Sequence, residues 1–349
     1  MSKTVLILGA SYGSLLGTKL AMAGHNATLV CRQATSELIN SEGTEVRIKL
    51  RGEDDHRAIH SRDLPGKVDA VTPEACEPEN YDLVVLAMQE PQYAHPTLRR
   101  LLADIAEARV PCLSIMNMPP LAYLRRIEGL DASALASAYT DATIWDAFEP
   151  GLVSLCSPDP QAFRPPEEAA NVLHVGLPTN FKAAGFEDPA HTEMLRELEA
   201  DIAAVTLEGK DVPVKLRVYD SLFVPMAKWS MLMTGNYRCV TDTGVRPICE
   251  AVHDDVDLSR EIYAHVDRIA RKLGADPADL VPFDKYAKAA TGLLKPSSAA
   301  RAILAGNAIE RVDRLVQLVA EALDMPHTEI ARTVARVDAA LVEHQRSAA

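Results

Sequence analysis

The chain has 349 residues, 48% of them apolar, and a formal net charge of −13 at pH 7. That length accommodates two domains, and the acidic balance argues against nucleic acid or an anionic membrane as a partner. Six cysteines are scattered without a CxxC pair or a His/Cys cluster at metal-ligand spacing, so no metal site is expected and reduced, buried thiols are. No signal-like segment precedes the first apolar run and no such run is long enough to cross a bilayer; a soluble, cytoplasmic protein is expected.

The chain opens on Val5, Leu6, Ile7 and Leu8, an apolar run that stops at Gly9 and reads as a buried parallel strand. Ala10, Ser11, Tyr12 and Gly13 follow as a tight turn, then a helix from Ser14 that ends at Gly24, then a second strand from Asn26 to Cys31. Strand, glycine turn, helix and strand form the dinucleotide-binding unit, in which a helix N-terminus faces a pyrophosphate. The turn departs from the usual Gly-x-Gly-x-x-Gly, because Ser11 stands at the second glycine and Gly13 comes one residue early. Gly13, Gly17 and Ala21 recur every four residues, which gives the helix one small face for the sheet. The second strand ends on Cys31-Arg32-Gln33 with no acid to accept from ribose hydroxyls. Arg32 can instead pair with a 2′-phosphate, so the expected cofactor is NADPH.

Residues 45–50 alternate like a strand and a charged loop is expected over 51–63; residues 69–72 read as a short strand. Residues 81–88 are a clear buried strand that leads to Gln89, and a helix starting at Pro91 or Pro96 carries Leu98, Leu101, Leu102 and Ile105 on one side. Residues 110–116 form the next strand and deliver Asn117 at its C-terminal end, the edge where open α/β sheets bind ligands. Strand-like text continues over 137–145, 151–156 and 171–175, with a proline-rich excursion at 157–166 expected to be an exposed loop. From Ala190 onward the pattern is helical. The expected fold class is α/β, with an N-terminal Rossmann-type parallel-sheet domain (1–207) and an all-helical C-terminal domain (208–349).

Within the helical half, Lys228 sits among Phe223, Met226, Trp229, Met231 and Leu232. Lysines usually occupy solvated faces or snorkel outward; one held among apolar groups becomes a competent proton donor near neutral pH. Asn236, eight residues on, returns to a similar azimuth two turns away. Ser297 or Ser298 begins a helix after Pro296, which suits an N-cap, and Glu310 lies twelve residues beyond Ser298 in an apolar-periodic run.

Together these stretches resemble the ketopantoate reductase (2-dehydropantoate 2-reductase) family. The resemblance covers most of the chain in order and implies a place in pantothenate biosynthesis. It implies cofactor contacts at Gly9, Ala10, Ser11, Tyr12, Gly13, Gln89 and Asn117, with Arg32 on the 2′-phosphate of NADPH. It also implies catalytic roles for Lys228, Asn236 and Glu310, and substrate contacts at Ser297, Ser298, Asn236 and Asn117. Lys228 would protonate the alkoxide that forms as a 2-oxo acid accepts hydride, and Glu310 would help keep that lysine charged. Two departures are visible: Gln89 replaces a family lysine, and Leu232 replaces an asparagine four residues after Lys228. Both suggest a less polar, or differently placed, substrate. Two other readings stay open, an imine reductase of the opine-dehydrogenase type and a non-catalytic NADP-binding regulatory protein. The apolar-faced helices after Glu250 would either cover the site or pair in a homodimer.

Overall fold

The computed structural model describes residues 1–348, with side chains through residue 343. The chain divides into two compact units: Met1–Met88, Gln92–Tyr123 and Thr143–Asp220 form the first, and Gln89–Pro91, Leu124–Ala142 and Ser221–Ala349 the second. The first unit begins with β1 (Thr4–Leu8), α1 (Tyr12–Met22), β2 (Asn26–Val30) and α2 (Gln33–Glu42). Next come β3 (Glu45–Lys49), β4 (His56–His60), β5 (Val68–Val71), β6 (Leu83–Leu86), α3 (Pro96–Ala108), β7 (Cys112–Ile115) and the short α4 (Leu121–Leu124). The rest comprises β8 (Val153–Ser157), β9 (Gln161–Phe163), β10 (Val172–Leu177), β11 (Phe181–Ala184), α5 (Pro189–Ala204), the two-residue β12 (Thr206–Leu207) and β13 (Lys210–Asp211), and β14 (Leu216–Tyr219).

Eight strands make the main sheet in the order β14-β11-β8-β7-β6-β1-β2-β5. From β8 to β5 all neighbours are parallel; β11 runs antiparallel to β8. β1, β6 and β7 are apolar on both faces because helices cover both, and nearly every one of their side chains is buried. Strand order reverses between β1 and β6, so the switch point where such sheets bind ligands lies at the end of β1. A second, four-stranded sheet has the order β4-β3-β10-β9.

Four expectations are corrected. The charged loop at 51–63 contains β4, a short edge strand that buries only Ile59 and pairs with β3, so its polar composition hides it. Residues 137–145 form no strand; Ala132–Ala138 and Ala142–Ala147 are 3-10 turns, the first capped by Asp131, which accepts from Ser133 N at 3.0 Å. Small Ala and Ser residues there offer little cross-strand area. The helical pattern after residue 190 is interrupted, since β14 returns to the main sheet beside β11, itself unrecognised in the sequence. The proline-rich excursion is not a free loop, because β9 lies within it and pairs with β10.

The second unit comprises α6 (Lys228–Met231), a π turn at Leu232–Asn236, the small hairpin β15 (Val240–Thr241) and β16 (Gly244–Val245), and six further helices. These are α7 (Ile248–His253), α8 (Val256–Lys272), α9 (Phe283–Ala290), α10 (Ser298–Leu304), α11 (Val312–Ala322) and α12 (Thr328–Ala348). Helix α8 starts at Asp255, whose carboxylate accepts from Leu258 N at 2.9 Å, and buries Ile262, Val266 and Ile269 at helical spacing. Among the described residues no helix is long and apolar enough to cross a membrane, and the six cysteines form no disulfide.

In the first unit Lys19 of α1 is buried, with its ammonium donating to the carbonyls of Val212 and Pro213 at 3.2 Å each. Burial, then the nearby Lys215, lowers its pKa to about 7 against the pull of Asp211. Between about 7 and the ordinary 10.5 the unfolded chain therefore binds a proton that the folded chain lacks, and stability rises with pH across that window. Urea unfolding from pH 6.5 to 9.5 should show wild type gaining on Lys19→Met as pH rises. A pH-independent difference between the two would refute it.

Candidate active site

At the head of β1, Gly9 has φ +106, and a Cβ there would lie 2.6 Å from Met88 Cγ and 2.8 Å from Ala87 O. The turn thus needs glycine both for its backbone and for its approach to the end of β6. Gly9 N–H donates to Val30 O at 3.1 Å, which ties the turn to the end of β2. Helix α1 begins at Tyr12 with no acid in its first turn and no side-chain cap from Ser11, so its N-terminal amides face no negative group of their own helix. Gly13 is buried against Ile7, whose Cγ2 would stand 2.7 Å from an added Cβ. Ala10 is buried and Ser11 and Tyr12 are half-buried. The Tyr12 hydroxyl donates to Pro160 O, and burial, then Asp159, pushes its pKa up to about 12. A dinucleotide pyrophosphate fits this donor set, because backbone amides and a small-residue turn are present with no acid in the first turn of α1.

Arg32 is exposed at the N-cap of α2, immediately after β2. Asn117 is half-buried two residues beyond β7. Gln89 is exposed, and contacts group it with the second unit rather than with the sheet. Its neighbour Glu90 is buried there, accepting from Thr140 N at 2.9 Å and Thr140 Oγ1 at 3.0 Å, with its pKa raised by burial. At the end of β6, Met88 N–H donates to the Tyr93 hydroxyl at 3.1 Å.

In the second unit Lys228 is half-buried at the start of α6 and Asn236 closes the π turn. In a regular α-helix eight residues leave about 80° between two side chains and about 12 Å along the axis. A π turn advances fewer degrees per residue, so it brings Asn236 back toward the Lys228 stripe. Gly235 makes the wide turn possible. Its missing Cβ would lie 2.0 Å from the Tyr286 hydroxyl, which donates to Met231 O at 3.2 Å and so occupies the loosened ladder. Residues 236 and 237 then gather the other candidates. Ser297 Oγ donates to Asn236 O at 2.7 Å and accepts from Ala300 N at 3.1 Å, so its hydroxyl serves the backbone on both sides. Ser298 is exposed in the first turn of α10. The Tyr237 hydroxyl donates to Glu310 O at 2.5 Å and accepts from Val312 N at 3.1 Å. Glu310 is buried in the loop before α11, not on a helix surface.

Asn236, Ser297 and Glu310 are therefore tethered to one turn of chain, with Lys228 at the start of the same helical segment. Composition and periodicity do not single out Tyr237, Gly235 and Tyr286, which hold this arrangement. The only signal for them was their place within or opposite the Lys228 segment. Among the described residues no group of His, Cys, Asp and Glu could hold a metal ion.

The first unit is thus a doubly wound sheet with a glycine turn at its switch point, and the second a helical unit that carries Lys228 and Asn236. Residues 5–117 match the family model of ketopantoate reductase PanE/ApbA. The whole chain shares its fold with 2-dehydropantoate 2-reductase from Methylococcus capsulatus (14% identity, 98% of this chain and 97% of that one, TM-score 0.68). It is also similar to a PanE/ApbA family ketopantoate reductase from Ralstonia eutropha JMP134 (16%, 98% and 99%, TM-score 0.62). A D-mandelate dehydrogenase solved with NADH shares the fold as well (11%, 97% and 99%, TM-score 0.60). No curated protein sequence matches the chain.

Gly235→Ala should destabilise the protein by about 1–3 kcal/mol through overpacking against Tyr286. Adding Tyr286→Phe removes the nearest obstructing atom, so the double variant should lose less than the sum of the single changes in urea unfolding. Strict additivity would show that the hydroxyl and the missing Cβ do not share one space.

Proposed function

We propose that this protein is an NADPH-dependent reductase that converts a 2-oxo acid to the 2-hydroxy acid, with ketopantoate as the first substrate to try. NADPH, when bound, supplies a hydride to the 2-oxo carbon. The reading assigns cofactor binding to residues 1–207, through Gly9, Ala10, Ser11, Tyr12, Gly13, Arg32, Gln89 and Asn117. It assigns catalysis to residues 208–349. Lys228 donates a proton to the oxygen as alkoxide charge develops, and its own positive charge stabilises that oxygen most in the transition state. Asn236 orients the substrate from the far end of the same helical segment. Ser298 and Glu310 hold the polar ends of the substrate. Ser297 keeps Asn236 in position through its hydrogen bond to the Asn236 carbonyl.

The observation that carries this reading is the convergence on residues 236–237, where Ser297 and Glu310 are tied by backbone hydrogen bonds to the segment that begins at Lys228. Support for the nicotinamide cofactor comes from the family domain at residues 5–117. Gln89 and Leu232 favour a second substrate class, a 2-oxo acid less polar than ketopantoate, and the fold likeness to a D-mandelate dehydrogenase agrees with it.

Lys228→Ala should lower kcat by about 10²–10⁴-fold, the usual worth of a positioned acid, while NADPH affinity stays near wild type. The assay is NADPH oxidation with ketopantoate and a panel of aliphatic and aromatic 2-oxo acids, with and without added amines, and with NADH in parallel. Unchanged turnover in Lys228→Ala would remove the lysine from the mechanism. Turnover that requires an amine would replace the 2-oxo acid reading with an imine reductase.

A further inference from the structure

The proline-rich excursion leaves β8 at Ser157 and does not run free. The Tyr12 hydroxyl holds it at Pro160 O, three residues pair as β9 with β10, and Arg164 Nη2 then donates to Ala10 O at 2.8 Å. The excursion is thus pinned to the glycine turn on both sides of β9. Ala10 follows Gly9, whose N–H is bonded to Val30 O, so Arg164 reaches the turn where it adjoins the end of β2. Cys31 and Arg32 come next in the chain, and Arg164 acts electrostatically on both. Burial, then Arg32, lowers the pKa of Arg164.

Neither arginine forms an ion pair with a carboxylate among the described residues, although the chain has 49 acids to 36 bases. Elsewhere such pairs are common: Arg47 with Glu45 and Glu168, Arg57 with Glu53, Arg311 with Asp313 and Asp338. Two guanidinium groups at one strand end, one of them partly desolvated, repel each other unless an anion joins them. Ala10 O uses one of the five N–H donors of Arg164, which leaves donors for a phosphate.

We propose that Arg164, carried onto the glycine turn by the proline-rich excursion, completes with Arg32 a two-arginine site for the 2′-phosphate of NADPH. This rests on the NADPH reading above. It adds a cofactor-selecting residue from a segment that lies outside the nucleotide-binding motif. A role at the pyrophosphate instead would serve NADPH and NADH alike, and that difference makes the assignment testable.

Calorimetric titration of the full chain with NADPH, NADH, 2′,5′-ADP and 5′-AMP, for wild type, Arg164→Ala, Arg164→Lys and Arg32→Ala, decides it. Arg164→Ala should weaken NADPH and 2′,5′-ADP by about ten- to a hundredfold, the worth of a charge-assisted contact, and leave NADH and 5′-AMP within about twofold. Arg164→Lys should recover part of the loss as a point charge without the fork. The losses from Arg32→Ala and Arg164→Ala should not add in the double variant, because both would contact one phosphate. Equal weakening of NADPH and NADH in Arg164→Ala, or an unchanged preference between them, would overturn this inference and leave the NADPH reading standing. A wild-type protein indifferent to the 2′-phosphate would overturn both.

Discussion

Between Gly9 and the carbonyl of Ala87 there is no space for a methyl group, and that contact governs the layout of the first unit. It lets β1 end beside β6 with nothing projecting over the sheet, and the positive φ of Gly9 turns the chain directly into α1. The Gly9–Val30 hydrogen bond then fixes the end of β2 to the same corner. Three strand ends and one helix N-terminus meet there. A side chain at residue 9 would separate them, so the helix dipole, the strand-end arginine and the tyrosine that holds the later segment all depend on one absent Cβ.

The second unit relies on a different device, a helix wound wide for one turn. Gly235 and Tyr286 together replace ordinary α-helical geometry between Lys228 and Asn236. Tyr237 then uses its single hydroxyl as donor to Glu310 O and as acceptor from Val312 N. That hydroxyl is deeply buried and its pKa lies well above the ordinary value, chiefly through burial, so it stays protonated and keeps its donor role at any physiological pH. Glu310 and Asn236 are tied into this segment through their backbone carbonyls, which accept from the Tyr237 and Ser297 hydroxyls.

Much of this was legible in the sequence where the physics is local. The strand-turn-helix-strand opening shows itself through apolar runs and glycine spacing, and β5, β6, β7, α3 and α5 through periodicity. Ser297 or Ser298 is recognisable as an N-cap from the proline before them, and the structure gives that role to Ser297. What was hidden depends on partners distant in sequence. His56–His60 becomes a strand only because β3 supplies its hydrogen bonds. The Ala- and Ser-rich run after Asp131 curls into 3-10 turns because nothing in it can fill a sheet face. The π turn leaves no hydropathy mark, and Glu310, placed by spacing within an apolar-periodic run, proves to precede its helix. Nothing in the sequence around Arg164 points to the glycine turn, and only the fold carries it to residue 10.

Those prolines have a bearing on the solution behaviour of the protein. Strand β9 is the outer strand of the four-stranded sheet, with one row of backbone groups lacking a neighbouring strand. Exposed edges of this kind invite pairing with other chains, and Phe163, 54% exposed, would strengthen such an encounter. Pro158 and Pro160 precede the strand and Pro165 and Pro166 follow it, so it cannot lengthen in either direction as a continuous hydrogen-bonding ladder. Three residues offer too short a template for a stable intermolecular sheet. The segment that reaches the glycine turn is therefore also built to resist aggregation at that edge.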